Sequence, residues 1–497
     1  MLLLIGTHTF CQTFDLRIDP YDQLDTEGAW SIETNAAGDH LVIASAGFQD
    51  TATYVGSAVT SISIDPEGNV LQVDRVMQPL SAYPGWSNST DRLQGGGFIV
   101  GGNIRVVDSL GEVHSKAALF RADDCGIFQA TYELPWIGSE DIGRQAKQTQ
   151  DGGFVICGEA MLGQQADGFV IKTDPSGLQE WVQTYGGFQN DFVNSIHTKE
   201  GGYFTGGQFR SAVSKDLWVQ AVNDTGAVVW SKVWGSIYDE PNAHLITAAD
   251  GNALIASGYG QNSNNNLRHY LAKLNALDGE IIWQKQYGST SVSSAFYVVQ
   301  EVQPGADLIA AGGHRSSSQN YGALLRTTST GDSLWMRYYQ YSDSLVTNNQ
   351  GLLRDVQPTA DGGFIACGSL FPVPGIYSQD VWVVKVDQYG CVEPGCHIIT
   401  GMETQITNMR DVLRVWPNTL QTSGQLHVQL QLPDHFTPRG DLRMIVTSSD
   451  GRLVKEERLS NPSTALTLQL PQLSPGLYHL HLADESRWIS GVKLVVE

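Results

Sequence analysis

Charge is scarce in this sequence, and positive charge is the scarcer sign. Only 16% of the 497 residues are charged, and 52 Asp or Glu outnumber 30 Lys or Arg, so the formal net charge is −22. A nucleic-acid binder or a protein held on an anionic membrane surface needs a basic footprint, so neither partner is expected. No stretch approaches the roughly 20 apolar residues of a membrane-spanning helix, and no transmembrane segment is predicted.

The sequence also lacks the short motifs that mark several enzyme classes. It has no Gly-x-Ser-x-Gly elbow, no His-Glu-x-x-His helix, no phosphate loop and no dinucleotide fingerprint. Its six cysteines include no Cys-x-x-Cys pair, so a zinc site of that kind is not expected. Catalytic residues can also be scattered along a chain. These absences therefore favour a non-catalytic function and leave an enzyme as the alternative.

Glycine, in contrast, is abundant and unevenly distributed. Of 53 glycines, 47 precede residue 397, and the same 396 residues hold 42 acidic and 21 basic side chains. Residues 397–497 hold ten acidic and nine basic side chains. The chain therefore divides near Cys396 into an acidic, glycine-rich part and a nearly neutral tail.

The glycine-rich part contains a seven-fold repeat. An apolar run that ends in small residues starts at positions 41, 98, 154, 203, 254, 308 and 364, and a turn glycine follows each start by 23 to 28 residues. One unit reads as strands over 192–198, 202–207, 216–222 and 227–234, and helical periodicity is absent. Seven four-stranded units with a period near 50 predict an all-β fold, a seven-bladed β-propeller over residues 12–396.

The last unit lacks a fourth strand, and the N-terminal region offers one. Residues 13–18 alternate Phe14, Leu16 and Ile18 with polar side chains, as a half-buried strand does. We therefore predict that this N-terminal strand closes the last blade. The apolar residues that precede it predict a truncated signal peptide over residues 1–11.

Four units place a tryptophan four residues after the turn glycine. This pattern resembles the docking motif of quinoprotein-type propellers, and the glycine pairs resemble kelch and Gly-Gly-Phe repeats of secreted bacterial propellers. The resemblance implies that each such tryptophan packs between blades. These residues are Trp181, Trp230, Trp283 and Trp335. Three units depart from the pattern and have Gln72, Ala130 and Pro394 at this position. Cys157 and Cys367 occupy the small-residue site of their units and are expected to be buried hydrophobic residues.

The tail contains alternating strands that predict a small Ig-like β-sandwich over 412–497, after a linker over 397–411. It resembles the type A C-terminal sorting domain of the type IX secretion system of Bacteroidetes. The landmarks that carry this resemblance are Pro417, Asn418, Gly451, Gly476, Tyr478 and Lys493. The resemblance implies that the type IX machinery is a partner and exports the chain. It also implies that the domain is then removed, and that the protein is released or stays at the outer-membrane surface.

Export permits disulfides, and related secreted propellers carry a similar cysteine pair ahead of their sorting domains. Cys391 and Cys396 are therefore the disulfide candidate.

Long, variable loops are predicted on one face of the propeller, where a rigid scaffold presents binding residues. The candidates there are Trp86, Trp136, Tyr238, His314, Arg315, Tyr321, Phe371 and Tyr377. The favoured hypothesis is a monomeric, non-catalytic binding or adhesion module for a glycan or a protein. The alternative is a propeller enzyme, either a glycan hydrolase or lyase or a quinoprotein-like oxidoreductase.

Acidic residues recur where each unit begins, at Asp141, Asp191, Asp239 and Glu240. They suit either a Ca²⁺ site or caps for the turns between units, and the second interpretation is favoured because no calcium-loop spacing is present. Apart from Ca²⁺, no cofactor is expected.

Overall fold

The computed structural model describes most of the chain. The described residues are 13–18, 28–51, 54–76, 80–240, 243–261, 266–289, 291–303, 305–316, 319–342, 350–371, 379–398, 403–409, 412–421, 424–433, 436–449, 451–459, 465–485 and 487–497. The predicted signal peptide and Tyr377 lie outside them.

The part before residue 397 folds into consecutive antiparallel sheets in which the strands follow chain order. After β1 (Phe14–Ile18), these are β2 (Gly28–Thr34), β3 (His40–Thr51), β4 (Tyr54–Ile64) and β5 (Val70–Arg75); β6 (Ala82–Pro84), β7 (Thr90–Arg92), β8 (Phe98–Val107), β9 (Val113–Ala122) and β10 (Phe128–Glu133); β11 (Asp141–Gln148), β12 (Phe154–Leu162), β13 (Gln165–Thr173) and β14 (Gln179–Tyr185); β15 (Phe192–Lys199), β16 (Gly202–Arg210), β17 (Lys215–Asn223) and β18 (Val228–Trp234); β19 (His244–Thr247), β20 (Ala253–Gly260), β21 (Leu267–Leu274) and β22 (Ile281–Tyr287); β23 (Ser293–Glu301), β24 (Leu308–Arg315), β25 (Asn320–Thr327) and β26 (Ser333–Ser342); and β27 (Gln350–Pro358), β28 (Phe364–Phe371) and β29 (Asp380–Val386).

Tight turns of one kind join the third and fourth strands of these sheets. In the turn before β14, the Asp174 carboxylate accepts the backbone N–H groups of Ser176 and Leu178. Gly177 follows with φ +83°, a conformation that a side chain disfavours. The Asp-x-x-Gly spacing in the sequence thus fixes the reversal locally.

The N-terminal strand lies at the outer edge of the last sheet. β1 pairs antiparallel with β29, with Phe14 opposite Lys385 and Ile18 opposite Val381. The buried Asp15 carboxylate accepts the indole N–H of Trp382 at 2.7 Å. Residues from both ends of the chain therefore share one sheet.

Aromatic side chains join each sheet to the next. A Cβ added to the turn glycine would lie 2.8 Å from Trp181 at Gly226 and 2.7 Å from Trp230 at Gly279. Trp283 packs in the same way on Gly331. Each tryptophan thus lies against the turn of the following sheet, as the resemblance implies.

Trp335 packs on Gly390, and two sheets without this tryptophan also contribute an aromatic ring. Tyr132 packs on Gly177, and Phe14 packs on Gly68. Ala130 occupies the position equivalent to Trp181, because the same bulge is present in β10 and β14, and the aromatic contact comes instead from Tyr132, two residues later. The assignment of Pro394 was wrong, because the fourth strand of the last sheet comes from the N-terminus, where Phe14 lies opposite Lys385.

The first sheet, which has Gln72 at this position, contacts the next turn through hydroxyl groups. Ser61 and Ser63 donate hydrogen bonds to the backbone carbonyls of Gly126 and Cys125 in the next turn, at 2.5 and 2.6 Å. Hydroxyl groups here replace the aromatic contact.

The tail contains a short 3₁₀-helix at Cys396–Ile398 and further strands. These are β30 (Glu403–Met409), β31 (Leu413–Trp416), β32 (Thr419–Leu420), β33 (Gln425–Leu430), β34 (Leu442–Ser448), β35 (Leu453–Leu459), β36 (Ala465–Gln469), β37 (Gly476–Ala483) and β38 (Arg487–Val496). One sheet has the order β31-β33-β36, and β38, β37, β34 and β35 form the other. Their buried side chains, among them Leu426, Leu468 and Leu480, form one core.

The residues predicted as a linker contain β30, which pairs in parallel with β26 on one side and β38 on the other. Ile406 of β30 and Trp488 of β38 belong to the same buried cluster as Trp335 and Tyr339. The tail is thus joined to the propeller by backbone pairing and by a common hydrophobic core.

Candidate functional site

The innermost strands carry the most chemically diverse side chains of the propeller. In five of them a β-bulge inserts one residue into the register with the second strand. Bulges re-aim side chains and are common beside functional sites. The inserted residues, which we call the inner ring, are Trp30, Arg144, Asn194, Tyr297 and Arg354.

Arginine and aromatic side chains stack on one another in this ring. The guanidinium carbon of Arg354 lies 4.0 Å from the ring centroid of Trp30 and 5.8 Å from that of Tyr297. Arg144 lies 4.0 Å from the ring centroid of Trp86. These distances are those of cation–π pairs. Trp86, a predicted binding residue, therefore contacts the ring.

The inner ring faces a common central channel. His244 begins β19, and burial together with the charges of Arg144 and Arg354 lowers its pKa to about 4. β11 and β27, which carry these arginines, belong to sheets that are not neighbours of the β19 sheet in chain order. The first strands of successive sheets also contact one another, as β11 contacts β15, β15 contacts β19, β19 contacts β23 and β23 contacts β27, so these side chains lie around one axis.

Polar atoms of the ring have no partner among the described residues. The Nε–H groups of Arg144 and Arg354 are buried and donate to no acceptor among the described residues. Asn194 is 1% exposed, and both its amide oxygen and its amide nitrogen lack a hydrogen-bond partner. Arg144 donates to Glu159 at 2.7 Å. The described residues provide no carboxylate for Arg354, and burial lowers the pKa of its guanidinium.

A second layer of ionisable groups lies further along the same strands. Lys147 is buried, and its Nζ lies 2.9 Å from the Thr90 carbonyl and 3.5 Å from an Asp91 oxygen. Burial, reinforced by Asp355 and Asp91 and opposed by Lys147, raises the pKa of Glu33 to about 8. Glu33 is therefore largely protonated at neutral pH.

Two of the other residues in this layer also have shifted pKa values. Burial raises the pKa of Asp355 to about 7, although its carboxylate accepts the backbone N–H of Ile32 at 3.0 Å. Burial and the charge of Lys147 lower the pKa of His197 to about 4. The channel thus holds neutral histidines and carboxyl groups that keep their protons.

Trp136 is the predicted loop residue with the clearest surface cavity. Its ring is 45% exposed and lines an open cavity of about 500 Å³. His114 meets the ring edge-on at 6.1 Å, and the Lys116 Nζ lies 5.6 Å from the centroid. This cavity is on the outer side of the second sheet, away from the inner ring.

The remaining predicted loop residues do not converge on one site. His314 stacks on Tyr338 at 4.1 Å and contacts Tyr321, and burial lowers the pKa of His314 to about 4. Tyr238 and Phe371 are half-buried on other sheets, and Arg315 is exposed. A packing role fits His314 and Tyr321 better than ligand contact.

The recurring acidic residues accept backbone N–H groups of turns and neighbouring strands. Asp141 accepts from Ile137 and Gly138, both at 2.9 Å. Asp191 accepts from Gly187 and from Arg210 at 2.6 Å.

Asp239 accepts from Lys215 at 3.0 Å, and Glu240 accepts from Ser236 and Gly260. Burial raises the pKa of Glu240, as it does those of Asp141 and Asp191. These bonds are those of caps, the interpretation that the sequence favours.

The cysteines divide into two kinds. Cys391 and Cys396 form a disulfide. Within the described residues, the one cluster of potential metal ligands is Asp387, Cys391 and His397, and the disulfide removes its thiolate. Cys157 and Cys367 are fully buried, and burial raises the pKa values of both thiols, so neither is a reactive nucleophile.

The sorting landmarks lie in turns of the tail and in its strands β37 and β38. The Asn418 carbonyl accepts the backbone N–H of Val495 at 2.9 Å, the Tyr478 hydroxyl donates to the Ser474 carbonyl at 3.0 Å, and Gly451 has φ +82°. Residues 414–497 match the model of the secretion system C-terminal sorting domain. The tail is a sorting domain.

This match marks the protein as one that the type IX system secretes, at the cell surface or outside the cell, as in Bacteroidetes. Within the described residues, no helix is long and apolar enough to span a membrane.

The similar solved structures include a propeller, a polysaccharide lyase and proteins of unknown function. The Dos1 propeller has a TM-score of 0.42 and 10% identity over 75% of this chain and 94% of its own. An ulvan lyase has a TM-score of 0.43 and 9% identity, over 72% of this chain and 92% of its own. A protein of unknown function from Dyadobacter fermentans has a TM-score of 0.40 and 12% identity, over 64% of this chain and 95% of its own. None of the curated proteins matches this chain.

Sequence analysis missed the inner ring except for its neighbour Trp86. Each member of the ring precedes the apolar run of its unit by nine to eleven residues. In chain order this position holds Trp, Arg, Asn, Tyr and Arg in the five units concerned. Aligning the units at this site would have found them, because a large polar or aromatic residue in a buried strand is unusual.

Proposed function

We propose that the propeller is a closed ring of seven blades, the last completed by β1. Phe14 of the last sheet packs on Gly68 of the first. Ile32 and Val42 share a buried cluster with Ile365 and Val383. These contacts join the first and last sheets as neighbours, and the two facing sheets of the tail fit a small Ig-like sandwich.

We infer that the protein is an exported, non-catalytic binding module with its ligand site at the inner ring. The observation that carries this proposal is the stack of Arg354 on Trp30, beside polar atoms that lack partners. Binding sites combine apolar or aromatic surface with a few converging polar groups. Here the innermost strands of the propeller hold these groups in place. The partner class is an extracellular glycan or protein, and the chain acts as a monomer.

The experiment measures binding of the purified chain to glycan and protein arrays. We expect the native chain to bind array ligands, and Trp30→Ala to weaken the affinity for them by about ten-fold or more. The reason is that an aromatic anchor at the centre of a site commonly contributes about 2 kcal/mol or more to binding. Trp136→Ala is the matched control, since Trp136 lies on the outer cavity. Arrays that stay blank, or hits that depend on Trp136 alone, would refute a site at the inner ring.

Acid catalysis in the channel is the second candidate function. Glu33 has a pKa of about 8 and lies near Asp91 and Asp355, and a carboxyl group that keeps its proton at neutral pH is a feature of general acids. If the protein cleaves the glycans that it binds, Glu33→Gln will abolish product formation and leave binding intact. Unchanged glycans after prolonged incubation would count against catalysis.

A further inference from the structure

We propose that the inner ring binds an acidic saccharide, with the carboxylate or sulfate of the sugar on Arg354 and its hydroxyl groups on Asn194. This inference rests on the proposed binding function and names its ligand class. It concerns the chemistry of residues on β15 and β27, which face the same channel.

The charge of Arg354 is the first step. The side chain is half-buried between Trp30 and Tyr297, its Nε is buried without an acceptor, and the described residues provide no carboxylate for it. Arg144, in contrast, is paired with Glu159, and Arg326 is paired with Asp307. A buried charge without a counter-charge is costly, and an anionic ligand would remove that cost.

The geometry of the guanidinium selects an oxyanion. A planar guanidinium presents parallel N–H groups that match the two oxygens of a carboxylate or sulfate. Stacking on Trp30 fixes the plane of Arg354, so its edge N–H groups are directed before a ligand arrives. Such preorganisation reduces the entropy that binding costs.

Asn194 and the aromatic rings favour a saccharide over an acidic peptide. A side-chain amide offers one donor and one acceptor, the combination that two adjacent sugar hydroxyls require, and Asn194 has both atoms free while 1% exposed. A peptide that adds a strand would be bound through backbone groups, whereas the unpartnered atoms of Arg354 and Asn194 belong to side chains.

The net charge of −22 makes this local arrangement selective. Exposed charges are screened beyond about 8 Å at physiological ionic strength, so the acidic surface weakly opposes acidic ligands in general. Only an anion that reaches the channel meets Arg354 and Arg144 at short range. The site therefore requires both the charge and the shape of its ligand.

The test uses titration calorimetry of the full chain with four probes. These are a uronic-acid tetrasaccharide, its methyl ester, a sulfated tetrasaccharide and a neutral tetrasaccharide. We expect one of the two acidic probes to bind at least about ten-fold more tightly than the ester and the neutral probe, since hydrogen bonds to charged groups are the stronger class. Preference between the two acidic probes distinguishes carboxylate from sulfate.

Two variants and one control assign the contacts. Arg354→Gln should remove the preference for the acidic probe, and Asn194→Ala should weaken all saccharide probes alike. Arg326→Gln, which removes a guanidinium 5.7 Å from the Phe364 ring outside the channel, should change nothing. If Arg354→Gln fails to fold, Arg354→Lys keeps the charge and should lower affinity through loss of the planar fork.

The outcomes separate this inference from the proposed function. Equal binding of neutral and acidic probes that Trp30→Ala abolishes would overturn the acidic class and leave the binding site standing. Array hits confined to acidic proteins, with none of the four saccharide probes bound, would overturn the saccharide class. Binding of none of the probes by the native chain, with blank arrays, would overturn both.

Discussion

At the scale of single residues, Glu33 links the channel to the pH dependence of stability. Its pKa is about 8 in the folded protein and near 4.5 when unperturbed. Between these values the folded state holds a proton that the unfolded state releases, so the contribution of Glu33 to stability falls as pH rises from about 4.5 to 8. The neutral buried histidines His197, His244 and His314 contribute in the opposite sense below about pH 6.5, so the comparison is between the variant and the native protein. Glu33→Gln removes the Glu33 contribution, and its urea midpoint relative to that of the native protein should rise from about pH 4.5 through 6 to 8.

Asp355 sets the size of that effect. Its pKa of about 7 gives a contribution of the same sign, which the Glu33→Gln variant retains. Glu67→Gln, in an exposed turn, is the control and should follow the native curve. A difference between the midpoints of Glu33→Gln and the native protein that stays constant from about pH 4.5 to 8 would contradict the assignment of Glu33 as a buried acid.

Gly226 tests the contact between neighbouring sheets. It has φ +79°, and an added Cβ would lie 2.6 Å from Gln183 and 2.8 Å from Trp181. Gly163 has φ +75° with nothing within 4 Å of an added Cβ. Gly163→Ala should cost about 1–2 kcal/mol for the backbone alone, and Gly226→Ala a further ~1–3 kcal/mol for overpacking.

The measurement is the free energy of unfolding of both variants in urea. Because their backbone strain is matched, the difference between the two isolates the contacts with Gln183 and Trp181. Equal losses would show that the turn glycines serve the turn alone.

At the scale of elements, β1 is the strand on which closure of the ring depends. Phe14 packs on Gly68 and belongs to the cluster that joins the first and last sheets. Phe14→Ala should lower the free energy of unfolding by about 3 kcal/mol. Thermal and urea unfolding measure this loss. Phe188→Ala is the matched control, because Phe188 is 98% exposed, and it should have no effect. Similar behaviour of the two variants would mean that β1 contributes little to closure.

The elements also show how far the sequence determines the fold. Period-2 alternation and Asp-x-x-Gly turns have local causes, so strand positions such as β16 and β17 follow from the sequence within a few residues. The placement of β1 on β29 followed from a missing strand and one alternating segment. These features depend on neighbours along the chain or on a simple count of strands.

The site was harder to predict because bulges decide it. The extra residue of a bulge breaks the alternation that separates buried from exposed side chains, so Arg144 and Arg354 look like ordinary strand residues. Trp86 was found because it follows a loop signal. Tyr132 was missed because it lies two residues beyond the position that carries the tryptophan in other sheets, where the second sheet has Ala130.

At the scale of the whole molecule, the propeller and the sorting domain are joined more closely than two domains on a linker. β30 pairs with β26 and β38, and Glu393 before the 3₁₀-helix lies 3.1 Å from His479 of the tail. Export requires only that the tail be recognised. Removal of the tail, which the sorting domain implies, requires access to chain that this pairing covers.

The strand β30 should therefore resist proteolysis in the intact protein. Ile406 is 1% exposed within the cluster that includes Trp335 and Trp488. Ile406→Asp would bury an unpaired charge there, which is strongly unfavourable, and should release the tail from β26. We expect limited proteolysis to spare residues 403–409 in the native chain and to cleave them rapidly in the variant. Val213→Asp, at a site 86% exposed, should behave like the native chain. Rapid cleavage of the native chain at β30 would show that the paired state is a minor one, and that the tail is presented for removal without prior undocking.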